Sequence, residues 1–271
     1  MPPTESAHRP QTLLLMLCGD YLLDRDVSVF SGSVIEVCDR LGISSHAARS
    51  TLTRMVHRGL LHRRRAGRRM YFGLTERSVA LLHDGRDRIW RAGAVNDDWD
   101  GTWTLLSFSL PESWQRQRHD LRSQLAWAGF GPLQGGLWIA PGDVPADHII
   151  SDLGLDAHAR VFQARAGART DIGVMVRDAY DLPALAAAYT GFLTRWDGRP
   201  PPDDPLTARL LLMADWLHAI RQDPRLPVEH LPPDWPAVRA QKVFRELEVA
   251  YAGPARAAAD RLLDLRPPDP G

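Results

Sequence analysis

Arg58, Arg63, Arg64, Arg65, Arg68 and Arg69 fall within twelve residues, with His57 and His62 beside them. So many guanidinium groups in so short a stretch cannot enter a core, because each buried charge would need its own partner. The stretch must therefore lie on a surface. Two short apolar runs flank it, Leu60-Leu61-His62 and Met70-Tyr71-Phe72, with a turn at Ala66-Gly67 between them. That pattern predicts a β-hairpin. The charge around it is uneven. The 271-residue chain has a formal net charge of zero, yet residues 1–92 hold 15 Arg against 9 Asp or Glu, and the remaining 179 residues hold 18 basic against 24 acidic. Asymmetry of this kind fits a nucleic-acid-binding module joined to something else. A solvated charged loop is the plainer reading of an arginine run; its flanks favour the first.

Upstream, Gln11 to Leu23 reads as a helix with a dense apolar face, and Ser33 to Leu41 as a short second helix built on Val34, Ile35, Val37, Cys38 and Leu41. Leu41-Gly42-Ile43-Ser44 follows. Glycine suits a turn with positive φ, Ile43 would plug the space between two helices, and Ser44 or Ser45 is a good N-cap. The next helix is expected from about Ser45 to Arg58, stopped at Gly59. Ala48, Leu52, Met55 and Val56 share its inward face. His46, Ser50, Thr53, Arg54 and His57 lie opposite, with Arg49 on the flank, and no acidic residue is present. Helix, helix, turn, helix and basic hairpin, in that order, predict a winged helix-turn-helix with the third helix in the major groove. The expected DNA contacts are Ser44, Ser45, His46, Arg49, Ser50, Thr53, Arg54 and His57 on that helix, and Arg63, Arg64, Arg65, Arg68 and Arg69 on the wing. The first set suits base edges and phosphates; the second would grip phosphate or enter the minor groove. Thr75 would cap a further helix, about Glu76 to Arg91.

Residues 95–178 read as a small α/β unit. Thr102 to Leu110 is strand-like and ends at Pro111, Glu112 to Ala128 is helical, and Gly129-Phe130-Gly131-Pro132 is punctuation. Leu137 to Ala140 is a second strand, Pro145 to Leu153 a short helix, and Ala159 to Ala164 a third strand. This order suggests a ferredoxin-like sandwich. Residues 179–271 are expected to be mostly helical. Leu182 to Trp196 and Leu206 to Gln222 are amphipathic, Asp223 to Pro236 is a proline-rich connector, and Ala237 to Leu265 returns to helix with a break near Gly253-Pro254. The fold expected is therefore α+β, with a winged-helix domain and linker helix at 1–94, a ferredoxin-like domain at 95–178 and a helical domain at 179–271.

Other classes have little support. The longest apolar run, Leu13 to Leu17, is far short of a membrane span, and residues 1–10 resemble neither a signal nor a transit peptide. Cys18 and Cys38 make no disulfide framework and no four-ligand zinc site, so a reducing cytoplasm is expected. The chain lacks His-Glu-x-x-His, a phosphate loop and Gly-x-Ser-x-Gly. No cofactor, metal or catalytic residue is expected.

Three blocks in order resemble the phenylacetate-degradation repressors, the PaaX-like transcriptional regulators. The first is Leu41-Gly42-Ile43, Ala47-Ala48-Arg49 and Arg58-Gly59-Leu60. The second runs from Trp103 to Pro111-Glu112, from Leu125 to Gly129-Phe130-Gly131, and through Gly136-Leu137-Trp138-Ile139. The third is Arg221 to Pro227 with Leu231-Pro232-Pro233-Asp234-Trp235-Pro236. The resemblance implies a cytoplasmic homodimeric repressor on double-stranded operator DNA, with a middle domain similar to the ferredoxin-like CRISPR-associated nuclease. It also implies release by an effector such as an aryl-coenzyme A thioester, though it does not fix that ligand.

Such an effector needs cations for phosphate and an apolar slot. Trp103, Arg116, Arg118, Arg122 and Trp138 are the candidate residues, against the plainer reading of core tryptophans and a solvated helix face. The alternative function is a metal-dependent nuclease that docks through the winged helix. In that nuclease the first strand ends in a metal-binding Asp, where this chain has Ser107-Phe108-Ser109-Leu110.

Overall fold

Turn residues and helix caps cut the chain into its elements. The computed structural model describes residues 8–200 and 202–267. The elements are α1 (Pro10–Tyr21), β1 (Ser28–Phe30), α2 (Ser31–Arg40), α3 (Ser45–His57), β2 (Leu61–Ala66), β3 (Arg69–Leu74), α4 (Glu76–Asp87), β4 (Thr102–Phe108), α5 (Gln115–Trp127), β5 (Gly131–Gln134), β6 (Leu137–Pro141), α6 (Asp147–Asp152), β7 (Ala159–Arg165), α7 (Ile172–Ala179), α8 (Leu182–Trp196), α9 (Pro205–Ile220), α10 (Pro236–Leu262) and β8 (Leu265–Arg266). The protein is a mixed α+β fold with two four-stranded antiparallel sheets, ordered β2-β3-β1-β8 and β5-β6-β4-β7. Residues within 1–92, 195–217 and 242–271 form one compact unit, and residues within 93–194 and 218–241 a second. The segment 179–271 contributes to both. Among the described residues, no helix is long and apolar enough to cross a membrane.

In the first unit, α1 buries Leu13, Leu14, Leu17, Cys18 and Tyr21, and α2 buries Val34, Val37 and Cys38. The α2–α3 turn closes on glycine. Gly42 has φ 76°, its N–H donates to the Asp39 carbonyl, and the Ile43 N–H donates to the Cys38 carbonyl at 2.8 Å. That pair of hydrogen bonds is a Schellman closure, which only a left-handed residue permits. Gly59 ends α3 the same way, with Leu60 N–H on the Met55 carbonyl at 2.9 Å. Further along the chain, Trp216 stacks on Phe244 with ring centroids 4.5 Å apart. The Arg209 guanidinium bridges Asp20 at 2.6 Å and Glu248 at 3.0 Å. Burial raises the Asp20 carboxyl above its ordinary range, against the opposing pull of Arg209.

In the second unit, α5 and α6 cover one face of the β5-β6-β4-β7 sheet. Leu106, Phe108, Leu121, Leu125, Trp138, Ala140, Ile149 and Ile150 form the core between them. The element order is strand, helix, strand, strand, helix, strand, and every pairing is antiparallel.

Several elements depart from the sequence expectation. Of residues 129–132, expected as punctuation, Gly131 and Pro132 belong to β5, so this sheet has four strands rather than three. Gly131 is glycine for a packing reason: a Cβ there would lie 2.5 Å from the Ala179 carbonyl oxygen. The Tyr180 hydroxyl donates to the Ile139 carbonyl at 2.6 Å beside it. Strands β1 and β8 and helix α7 were not expected. Leu265, expected to be helical, lies in β8. Helix α10 runs unbroken through Gly253-Pro254. Proline removes one donor there, but buried residues on both sides, Val243 and Phe244 before it and Ala255, Ala258 and Ala259 after it, hold the helix in place.

Replacing Gly131 by Ala is expected to cost about 1–3 kcal/mol through overpacking. Phe162→Ser, at a position 54% exposed on β7, should change stability by less than about 0.5 kcal/mol. Chemical denaturation of both variants checks this pair. Burial pushes the Cys18 thiol up to about 12 and the Cys38 thiol to about 11. Both therefore stay protonated and unreactive at pH 8. Iodoacetamide should spare both in the folded protein and modify both in urea, as read by mass spectrometry.

Candidate nucleic-acid interface

Helix α3 packs its apolar face against α1 and α2. Ala48, Thr51, Leu52 and Met55 are buried, and Ile43 plugs the turn as expected. The Ser44 hydroxyl caps the helix, accepting from the Ala47 N–H at 3.3 Å. With that face inward, Ser45, His46, Arg49, Thr53, Arg54 and His57 are exposed and Ser50 is half-buried. Three hydrogen bonds order this outer face. The Arg54 guanidinium donates to the Ser50 hydroxyl at 2.6 Å and the Thr51 hydroxyl at 2.9 Å. The Thr53 hydroxyl donates to the Arg49 carbonyl at 3.0 Å. All eight residues expected on this helix thus share its start or its outward side, with no carboxylate among them.

The arginine run forms the antiparallel pair β2–β3, closed by the two residues Gly67 and Arg68, with Gly67 at φ 61°. Side chains alternate across a strand, so the run divides. Arg63 and Arg65 share a face with Leu61, Phe72 and Val29, whereas Arg64 and Arg69 share the opposite face with Tyr71 and Phe30. Arg63, Arg65 and Arg68 are exposed, and Arg65 Nε donates to the Gly67 carbonyl at 3.0 Å. Arg64 donates to the Pro267 carbonyl at 2.7 Å. Arg69 pairs with Asp264 at 2.7 Å and lies 5.0 Å over the Phe30 ring. Sequence reading missed Asp264 and Pro267, because about two hundred residues separate them from the hairpin. The Thr75 hydroxyl caps α4 and also donates to the Gly59 carbonyl at 2.7 Å, tying the helix after the hairpin to the end of α3.

The five residues expected to hold an effector are not brought to one place. Arg122 and Trp138 line a shallow depression of about 410 Å³ with residues 132–137. Arg118 instead ties down the loop after β4, donating to the Leu110 carbonyl at 2.9 Å and the Pro111 carbonyl at 3.3 Å. Arg116 is 92% exposed and lies 3.7 Å from Asp120. Trp103 pairs across β4–β6 with Pro141, and Trp138 with Leu106. By strand parity the two tryptophans lie on opposite faces of the sheet, and Trp103 meets Trp99 edge-on at 5.2 Å. Among the described residues, no group of three or more His, Cys, Asp or Glu is placed to hold a metal ion.

Three family models match in consecutive order. They are the PaaX-like protein over residues 9–78, the PaaX protein central Cas2-like domain over 96–174, and the PaaX-like protein C-terminal domain over 180–261. The transcriptional repressor PaaX of Escherichia coli strain K12 is 27% identical over 248 residues, covering 86% of this chain and 77% of that protein. The solved structure of an uncharacterized Mycobacterium tuberculosis protein, Rv0674, shares the fold. Its TM-score is 0.63 at 24% identity, covering 92% of this chain and 97% of that one. With three models of one family following each other from residue 9 to residue 261, the chain belongs to the PaaX-like proteins.

Proposed function

We propose that this protein is a DNA-binding transcriptional repressor whose α1–β3 segment is a winged helix-turn-helix, with α3 as recognition helix and the β2–β3 hairpin as wing. The observation that carries the reading is a pair of exposed features in one unit: the acid-free outer side of α3, and Arg63, Arg65 and Arg68 of the hairpin. Short polar and basic side chains on a helix suit base edges, and exposed arginines suit phosphate. Arg64 and Arg69 lie on the hairpin's other face and are not part of this set. The relative named a transcriptional repressor supports the same reading.

In this reading residues 1–94 bind DNA and 95–178 form a ferredoxin-like domain, while the mostly helical segment 179–271 contributes to both compact units. The repressor is a cytoplasmic homodimer on a two-fold operator, with half-sites about one helical turn or a multiple of it apart. It controls a catabolic operon and is released by an effector such as an aryl-coenzyme A thioester. The depression beside Arg122 and Trp138 is the first place to seek the phosphate end of that ligand. The protein acts by binding, not by catalysis.

Affinity for duplex DNA should fall steeply with salt, with a log–log slope of about 0.9 per phosphate neutralised. Arg65→Ala with Arg68→Ala is expected to flatten that slope by about 0.9 for each phosphate no longer neutralised, equally on all sequences. Arg49→Ala or Ser50→Ala should instead change preference among operators, by about 1–3 kcal/mol for each well-formed pairing with a base edge. Anisotropy titrations over a KCl series read both. An unchanged slope in the double variant would remove the hairpin from the interface. In the same assay, an aryl-coenzyme A thioester should release operator DNA, and bound DNA left undisturbed would remove that effector.

A further inference from the structure

The C-terminal strand completes the sheet that carries the hairpin. Strand β8 pairs with β1 in the register Ser28↔Arg266 and Val29↔Leu265. The residue before it, Asp264, continues the ladder, because its carbonyl accepts the Phe30 N–H at 2.9 Å. One row of side chains therefore crosses one face of the sheet: Arg64 from β2, Tyr71 from β3, Phe30 from β1, then Asp264. Arg69 stands two residues before Tyr71, on the same face.

We propose that Asp264 is a positioning residue of the DNA-binding hairpin, which pins the Arg69 guanidinium against the sheet and so keeps it out of the phosphate-gripping set. The proposal deepens the DNA-binding reading and rests on it. An exposed ion pair between two mobile side chains exchanges easily, because both must be ordered to form it. Here the carboxylate is ordered in advance. Its backbone N–H donates to the Ser33 hydroxyl at 3.1 Å, its carbonyl is held by Phe30, and Oδ2 accepts the Tyr71 hydroxyl at 3.0 Å. The same Oδ2 accepts Arg69 at 2.7 Å, and the Phe30 ring supports the guanidinium at 5.0 Å. Arg69 remains 61% exposed and Asp264 36% exposed, so the pair is open to solvent and to an approaching polyanion. A phosphate brought to Arg69 would meet the Asp264 charge at close range. The hairpin thus carries cations of two kinds: Arg63, Arg65 and Arg68, which engage DNA, and Arg69, whose charge is already answered within the chain.

The test is a set of anisotropy titrations of the full-length protein with mixed-sequence duplex DNA across a KCl series, comparing the parent, R69A, D264N and R69A/D264N. R69A should leave the salt slope unchanged. D264N should steepen it by about 0.9 per bound subunit, the value of one further phosphate neutralised, and tighten binding at fixed salt. The double variant should return to the parent slope. Three results would overturn the proposal. One is a flatter slope in R69A, which means that Arg69 already grips phosphate. The second is an unchanged slope in D264N. The third is a gain that persists in R69A/D264N, which assigns the effect to the carboxylate's own field rather than to release of Arg69. Asp264→Ser provides the same charge loss should the amide disturb the fold. Absence of any DNA binding by the parent would overturn the functional reading itself, and this proposal with it.

Discussion

Burial of Ala48, Leu52 and Met55 against α1 and α2 sets the orientation of α3. A helix has only one way to place such a stripe inward, and that choice sends His46, Arg49, Thr53, Arg54 and His57 to solvent together. The two glycine closures make the choice tight. Gly42 brings the chain back into α3 within a few residues of α2, and Gly59 turns it into β2 directly after α3. The helix face and the hairpin are thereby joined by a short, hydrogen-bonded path, reinforced by Thr75 on the Gly59 carbonyl. Without the apolar stripe, the same arginines would be a solvated loop with no fixed relation to the helix.

Local signals account for what was legible in the sequence. The Ser44 cap, the glycines at 42 and 59 and Gly67, expected in the turn with Ala66 and found there with Arg68, each act within a few residues, so the order α1, α2, α3, β2, β3 can be read directly. Strands β1 and β8 span three and two residues. That is too short for an alternation to register, and their pairing depends on chain ends that only tertiary structure brings together. Pro254 misled for the opposite reason. Its local cost is real, yet apolar packing before and after it outweighs one missing hydrogen bond. At Gly131 the residue type was visible, but the reason for it, the approach of the Ala179 carbonyl, was not.

Strand parity is the recurrent lesson for the site residues. Arg63, Arg64 and Arg65 are consecutive, so they cannot act as one cationic cluster once they lie in a strand. The same rule separates Trp103 from Trp138; on helix α5, Arg122 shares a depression with Trp138, while Arg118 ties down the loop after β4 and Arg116 is exposed. For the arginines a hairpin register drawn from the sequence reveals the split, whereas β4 and β6 are separated in the chain by α5 and β5.

The DNA-binding role requires α3 and the hairpin to form one DNA-facing surface, and amide hydrogen exchange with and without duplex DNA tests this most directly. Slower exchange in the bound state over residues 44–57 and 61–74, with β4 to β7 unaffected, is the result expected. Protection confined to β4–β7, or bound DNA that leaves 44–57 and 61–74 unchanged, would contradict it.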